Sequence, residues 1–82
     1  MKYLIIFIIL ISFLPSLAGT ADDYMKSSYS LLNQKKYKEA FEDFEKAVNI
    51  EPGYLDAWLG RGVCLYYLGK SDEALSSFDR AI

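Results

Sequence analysis

The sequence contains no histidine and only one cysteine, Cys64. A zinc site needs about four ligands, which are most often Cys and His, and a Ser-His or Cys-His nucleophile pair needs a His. Both kinds of site are therefore excluded within these 82 residues, and we expect no metal, no cofactor and no enzyme. One cysteine forms no disulfide within the chain. Cys64 is expected to be a small buried residue of a helix, or else an intermolecular thiol.

Neither charge is in large excess, because the sequence has 9 basic and 11 acidic residues. The basic residues are scattered and form no stripe along the sequence, which argues against nucleic acid as a partner. With 52% hydrophobic and 24% charged residues, the composition is typical of a folded domain. The length allows one small domain at most.

The long apolar run of the sequence lies at its N-terminus. Lys2 precedes an apolar run over residues 3–14, Pro15 ends it, and the small residues Ser16 and Ala18 follow. This order predicts a secretory signal peptide over residues 1–18, cleaved after Ala18. The run is shorter than the roughly 20 residues of a spanning helix, so a membrane anchor formed by residues 3–18 is the alternative. The rest of the chain is expected to be exported, either periplasmic or extracellular, with membrane contact only if the segment is uncleaved.

The remaining sequence repeats with a period of about 34 residues. Residues 21–48 align on residues 55–82 without a gap, with seven identities in 28 pairs. The identical pairs include Ala40 and Ala74, as well as Phe44 and Phe78. Since these pairs fall on one helical face, the match indicates a repeated structural unit.

Each unit is expected to be a pair of helices. The first pair is predicted over residues 22–34 and 37–50, and apolar residues at i, i+3, i+4 and i+7 mark the second helix of this pair. The next helix is predicted over residues 54–68, and a fourth begins with Ser71 as its N-cap. The fold class is therefore all-α, with antiparallel helix pairs stacked as an α-solenoid.

Short signals mark the ends of these helices. Thr20 and Asp23 have the spacing of a capping box, which places the start of the first helix. Pro52 and Gly53 end the second helix. Gly69 is expected to adopt the left-handed conformation after the third helix.

The length of the period and the two-helix unit resemble the tetratricopeptide repeat. The residues that carry the resemblance, and that are expected to pack, are Tyr24, Tyr37, Ala40, Phe44, Ala47 and Pro52 in the first unit, with Trp58, Gly62, Gly69, Ala74, Phe78 and Ala81 in the second. The resemblance predicts one repeat over residues 21–54 and a second over residues 55–82, which stops inside its second helix.

Some positions depart from the family pattern. Arg61 replaces the usual Leu before the central Gly, and Leu65 replaces the usual Tyr that follows it. In the first unit, Ser28 stands at the central Gly position and Lys35 at the inter-helix Gly position. Gly62 is expected to let the two helices of its unit approach closely, while no role is predicted for Gly60, which should cost about 1 kcal/mol in a helix.

The resemblance implies a concave groove that is lined by the first helix of each unit and binds a peptide or protein segment. Aromatic and aliphatic residues dominate the implied groove, and Asp22 and Asp56 accompany them. The implied groove residues are Met25, Tyr29, Leu32, Asn33, Leu59, Val63, Tyr66 and Tyr67. For each tyrosine, packing between the units is the alternative.

The leading hypothesis is an exported scaffold that mediates protein–protein interaction and forms the N-terminal part of a longer repeat protein. This hypothesis follows because two units are fewer than such arrays normally need. One alternative is a docking arm of an enzyme whose catalytic domain lies elsewhere, and another is a structural protein that self-associates. The segment Gly60–Leu65 is not a nucleotide loop, because Leu65 stands where a third Gly belongs, no strand is predicted before it, and the G-K-[ST] pattern is missing.

Overall fold

The computed structural model describes residues 19–82. The predicted signal peptide falls on residues 1–18 and lies outside the described residues. Four helices follow one another along the described chain. They are α1 (Ala21–Asn33), α2 (Tyr37–Ile50), α3 (Leu55–Tyr67) and α4 (Ser71–Ala81). Each helix packs on the next in chain order, and residues 19–82 contain no strand, so the predicted all-α stack of helix pairs is confirmed.

The start of α1 is fixed by the predicted capping box. The Thr20 hydroxyl accepts a hydrogen bond from the Asp23 backbone N–H at 3.2 Å, and the Asp23 carboxylate accepts one from the Thr20 N–H at 3.3 Å. Both bonds satisfy N–H groups that have no partner within the helix. Helix α2 has the predicted bounds of Tyr37–Ile50.

The predicted N-cap of α4 was wrong. Ser71 is the first helical residue, and the cap is Lys70, which has no side-chain capping bond. The reason lies in the preceding turn, because the Lys70 carbonyl already accepts the Ala74 N–H at 2.9 Å. The helical bonding therefore begins one residue earlier than the serine suggests.

The two turns inside the helix pairs have the same backbone geometry. In the first, the Lys36 N–H donates to the Leu31 carbonyl at 2.9 Å, and in the second, Lys70 donates to Leu65 at 2.8 Å. These are the long bonds of a Schellman motif, whose central residue is left-handed. Gly69 has the expected positive φ of 80°, whereas Lys35 adopts a φ of 61° despite its side chain.

The core runs through both helix pairs. Phe44 and Leu65 are its largest fully buried side chains, and Trp58 packs against its edge. The predicted packing residues divide by exposure. Ala40, Phe44, Ala47, Gly62 and Ala74 are buried, Tyr24, Tyr37, Trp58, Phe78 and Ala81 are half-buried, and Pro52 and Gly69 are exposed in turns.

Two glycines of α3 allow aromatic rings to lie on the helix backbone. A Cβ on Gly62 would stand 2.6 Å from the Phe78 ring of α4, which confirms the expected close approach within the second pair. A Cβ on Gly60 would stand 2.3 Å from the Phe44 ring of α2. Gly60 therefore has a role that the sequence did not predict, since it lets α3 dock on the preceding helix pair.

Candidate functional site

The face formed by α1 and α3 exposes large side chains that the core does not use. Tyr29 is 47% exposed and Leu59 is 49% exposed. Leu59, Val63 and Tyr66 are spaced i, i+4 and i+7 and therefore share one side of α3. We call this surface, which includes Tyr29 of α1 with Leu59, Val63 and Tyr66 of α3, the A-helix face, because it lies on the first helix of each repeat.

The predicted groove residues do not all lie on this face in the same way. Tyr29, Asn33, Leu59, Tyr66 and Tyr67 are exposed, and Leu32 and Val63 are half-buried. Met25 is only 3% exposed and belongs to the core cluster. Its counterpart in the second repeat, Leu59, is 49% exposed, so the same repeat position is core in one pair and surface in the other.

Leu55 joins this surface although the sequence analysis did not select it. Its side chain is exposed and precedes Leu59 by one helical turn, so both lie on the same side of α3. The i to i+4 spacing from Leu59 was the signal that could have identified it.

An aromatic cluster closes one end of the A-helix face. The rings of Tyr37 and Tyr67 stack with their centroids 4.5 Å apart and their planes 11° apart. The Tyr66 ring meets Tyr67 edge-on at 5.5 Å. Tyr67, which is 59% exposed, therefore stacks on a ring of the first helix pair, whereas Tyr66, which is 62% exposed, meets only Tyr67 among the aromatic rings of residues 19–82.

Tyr29 lies near the middle of the face. Its ring meets the buried Phe44 ring edge-on, with centroids 5.8 Å apart. Burial raises the pKa of the Tyr29 phenol, and the negative charge of Asp56 raises it further. The phenol therefore stays protonated at neutral pH and can donate a hydrogen bond to a ligand.

The other end of the face is closed by a hydrogen bond between the helix pairs. The Tyr54 hydroxyl donates to Oδ1 of Asp22 at 2.8 Å. This hydrogen bond raises the pKa of Tyr54 to about 12, because the protonated phenol is the form that donates. Nearby, the Trp58 indole N–H donates to the Pro52 carbonyl at 2.7 Å, so both bonds hold the α2–α3 turn.

Arg61 joins three helices, a role that sequence reasoning missed. Its guanidinium lies 3.3 Å from the Glu45 carboxylate of α2 and donates to the Ser77 hydroxyl of α4. It also lies over the rings of Phe41 and Trp58, at 5.1 and 5.6 Å. The residue that departs from the family pattern thus makes polar contacts that a leucine cannot make.

Cys64 is fully buried. Burial raises the pKa of its thiol to about 11, so the reactive thiolate is scarce at neutral pH. Within residues 19–82 no group of three or more His, Cys, Asp or Glu is placed to hold a metal ion. In the same part of the chain, no helix has the length and apolar character needed to cross a membrane.

The two ends of the helix stack differ in polarity. The side of α3 that packs on the first pair includes Ala57, Gly60 and Cys64, which are all buried. The matching positions of α1 hold Asp23, Lys26 and Ser30, which are all exposed. At the opposite end, Leu75 is 62% exposed, so the stack has one polar end and one apolar end.

These features define a helical-repeat protein of two stacked helix pairs, in which the first helix of each pair exposes aromatic or aliphatic side chains. The tetratricopeptide repeat family model matches residues 31–82. The chain therefore belongs to the tetratricopeptide repeat family, whose members are typically interaction modules without catalytic activity.

Two relatives agree with this assignment. An uncharacterised protein of Methanocaldococcus jannaschii is 34% identical over 62 residues, which cover 76% of this chain and 72% of that protein. The TPR repeat-containing protein YsoA of Bacillus subtilis is 33% identical over 61 residues. That match covers 74% of this chain but only 18% of YsoA.

Proposed function

We propose that this chain is an exported interaction scaffold that binds a peptide or protein segment across its A-helix face. The observation that carries the proposal is the exposure of Tyr29, Leu59 and Tyr66 on that face, away from the core. Tyrosine combines a large contact area with few rotatable bonds and a polar hydroxyl, which suits it to protein contacts. We propose no catalytic role for the described residues.

Tyr66 is the best residue with which to test this face. A Tyr67→Ala variant would also remove the stack on Tyr37, so it would mix binding with stability. Tyr66→Ala removes a side chain that is 62% exposed, and Leu75 of α4 offers a matched control with the same exposure. Peptides selected from a displayed library against the unaltered protein supply the ligand.

We expect Tyr66→Ala to weaken binding of the selected peptide at least about tenfold, as measured by fluorescence anisotropy. Aromatic side chains that become buried when a partner binds carry much of the binding energy. Leu75→Ala should change it less than about twofold. Equal losses of affinity in both variants would contradict the proposed role of the A-helix face, and so would a loss of helicity that accompanies the loss of binding.

Export is a separate part of the proposal and is supported by the order of Lys2, the apolar run 3–14, Pro15 and Ala18. The intact mass of the natural product tests it. We expect a mass that lacks residues 1–18. A product that retains them in the membrane fraction would indicate the anchor instead.

A second candidate function concerns the apolar end of the stack. We propose that further repeats cover this end, so that the chain serves as the N-terminal part of a longer array. The support is the contrast between Phe41, which is half-buried and packs against the core, and its counterpart Leu75, which is 62% exposed. The same intact mass reports any repeats beyond Ile82, and sedimentation that shows a folded dimer of the short product would favour self-association instead.

A further inference from the structure

A cleft lies at the junction of the two helix pairs, and its lining residues are distinct from those of the A-helix face. It has a volume of about 280 Å³ and lies between α2 and the turn from α3 to α4. Its lining residues are Lys38, Phe41, Glu42, Leu65, Leu68 and Lys70. This volume is at the lower limit for small-molecule pockets, so the cleft suits one or two side chains of a partner.

The floor of the cleft is apolar. Leu65 is buried, Phe41 is half-buried, and Leu68 is 39% exposed. Phe41 comes from the first helix pair, whereas Leu65 and Leu68 come from the second. A large apolar side chain that entered the cleft would contact both pairs and remove this floor from water.

The rim of the cleft is mainly positive. Lys38 and Lys70 stand on it, with Glu42 as its acidic residue. Neither lysine forms an ion pair with any residue of the range 19–82, where the single ion pair joins Arg61 and Glu45. The two lysine charges are therefore available to a carboxylate.

The surroundings add to the positive charge. Lys35 and Lys36 lie in the turn from α1 to α2, and the stacked rings of Tyr37 and Tyr67 hold that end of α2 against the end of α3. Asp72 and Glu73 lie beyond Lys70 in the first turn of α4 and do not line this cleft. The fold thus brings Lys70 to the end of α2 that follows Lys35 and Lys36 in the sequence.

We propose that this cleft binds a protein segment in which one large apolar side chain is flanked by carboxylates. The apolar side chain fills the floor, and the carboxylates meet Lys38 and Lys70. The chain's own apolar segment is a poor match in charge, because residues 1–18 contain Lys2 and no acidic residue.

The positive rim is particular to this junction. In the second repeat, the positions equivalent to Lys38, Phe41 and Glu42 hold Asp72, Leu75 and Ser76. A similar cleft built on the second pair would therefore keep an apolar position, but an aspartate would replace the lysine and a serine would replace the glutamate. The charge preference belongs to the junction between these two pairs and is independent of the A-helix face.

A titration with two peptides tests the proposal. The ¹⁵N-labelled protein made from the whole sequence is titrated with the acidic peptide DDLFEE and, separately, with its basic counterpart KKLFKK, and amide shifts are followed by NMR. We expect DDLFEE to shift the Leu65 and Leu68 amides with saturation, and more weakly as salt rises. KKLFKK should leave them unshifted.

Two charge-changing variants complete the test. Lys38→Glu with Lys70→Glu should weaken DDLFEE binding at least about fivefold, because both rim contacts become repulsive. Lys26→Glu with Ser30→Glu and Asn49→Glu changes the net charge equally at exposed positions that do not line the cleft, and should change binding less than about twofold. Far-UV circular dichroism checks that both variants remain folded.

Three results would overturn the proposal. The first is equal binding of both peptides, and the second is no binding of DDLFEE at millimolar concentration. The third is a shift of the Leu65 and Leu68 amides with protein concentration alone, which would make a second copy of the chain the occupant. None of these results bears on the Tyr66 experiment, so the two proposals fail separately.

Discussion

The two helix pairs make their internal contacts at the same positions but with different chemistry. In the first pair, the Lys46 ammonium lies 5.4 Å from the centre of the Tyr24 ring, and in the second, the Arg80 guanidinium lies 4.9 Å from the Trp58 ring. Arg80 and Trp58 stand at the positions of the second repeat that are equivalent to Lys46 and Tyr24. The cation and the aromatic ring are thus retained, although neither residue is identical.

A second matched contact changes more. Ser27 donates a hydrogen bond to the Asp43 carboxylate in the first pair, and Arg61 donates to the Ser77 hydroxyl at the same two positions of the second. The larger donor also reaches Glu45 of the neighbouring pair. The helix-pair geometry thus determines which positions meet, while the residues present determine whether a contact stays within one pair or joins two pairs.

The largest difference between the pairs should appear on truncating their matched phenylalanines. Phe44 is fully buried under α3, whereas Phe78 is half-buried. Phe44→Ala should lower the free energy of unfolding by about 3–5 kcal/mol through lost burial and a cavity. Phe78→Ala should cost clearly less, and urea unfolding followed by far-UV circular dichroism measures both.

Because a domain of this size has little stability to lose, Phe44→Ala could unfold the chain outright. Phe44→Leu and Phe78→Leu then supply a milder pair in which the same order should hold. Equal costs at the two positions would mean that α3 does not cover Phe44 in solution.

The next effect concerns Gly60, the glycine at the contact between the two pairs. Gly60→Ala places a Cβ 2.3 Å from the Phe44 ring, and such overpacking costs about 1–3 kcal/mol. The higher helix propensity of Ala offsets this by up to about 1 kcal/mol. We expect a net loss in urea unfolding. Gly53→Ala is the control, because no atom lies within 4 Å of its added Cβ, and a stabilised Gly60→Ala protein would contradict the close contact.

A smaller effect is expected from exchanging residues between the two matched turns. Lys35 has a φ of 61° at a position where Gly69 has a φ of 80°, and a side chain in this conformation costs about 1 kcal/mol. Lys35→Gly should therefore raise the thermal midpoint, and Gly69→Lys should lower it. Differential scanning calorimetry measures the thermal midpoint of both variants. Midpoint shifts of the same sign would contradict the predicted strain at Lys35.

The smallest effect is a dependence of stability on high pH. The folded pKa of Tyr54 is raised to about 12 from its usual value of 10.0 by the bond to Asp22. The contribution of this bond is therefore complete below pH 10 and is lost as the pH rises toward 12. Ultraviolet titration of phenolate absorbance should show a late-ionising phenol, besides that of Tyr29, which Tyr54→Phe removes. If Tyr54→Phe instead removed a phenol that ionises near pH 10, the bond would be ruled out.

Local signals in the sequence predicted the features that depend on neighbouring residues. The capping box at Thr20, the bounds of α2 and the left-handed Gly69 each arise from contacts within a few positions. The repeat period added the pairing of helices, because it showed which positions are equivalent. These signals were enough to predict the fold and to select most of the exposed residues of the A-helix face.

Features that depend on contacts between the pairs were not predictable in this way. Gly60 has a role only because Phe44, which belongs to the preceding helix, lies against it. Met25 and Leu59 are equivalent in sequence, yet Met25 lies in the core and Leu59 is 49% exposed. The positive cleft likewise depends on Lys38 and Lys70 being brought together by the packing of α3 on α2.

The burial of Cys64 makes this chain a reporter of its own opening. A thiol that is fully enclosed, with a pKa raised to about 11, reacts with an alkylating reagent only when the junction between the pairs separates. The labelling rate at neutral pH therefore measures the opening equilibrium of that junction at a native cysteine, without an engineered one. The equivalent position of the first pair, Ser30, is exposed, so Ser30→Cys in a Cys64→Ser background gives the rate for a thiol that is always accessible.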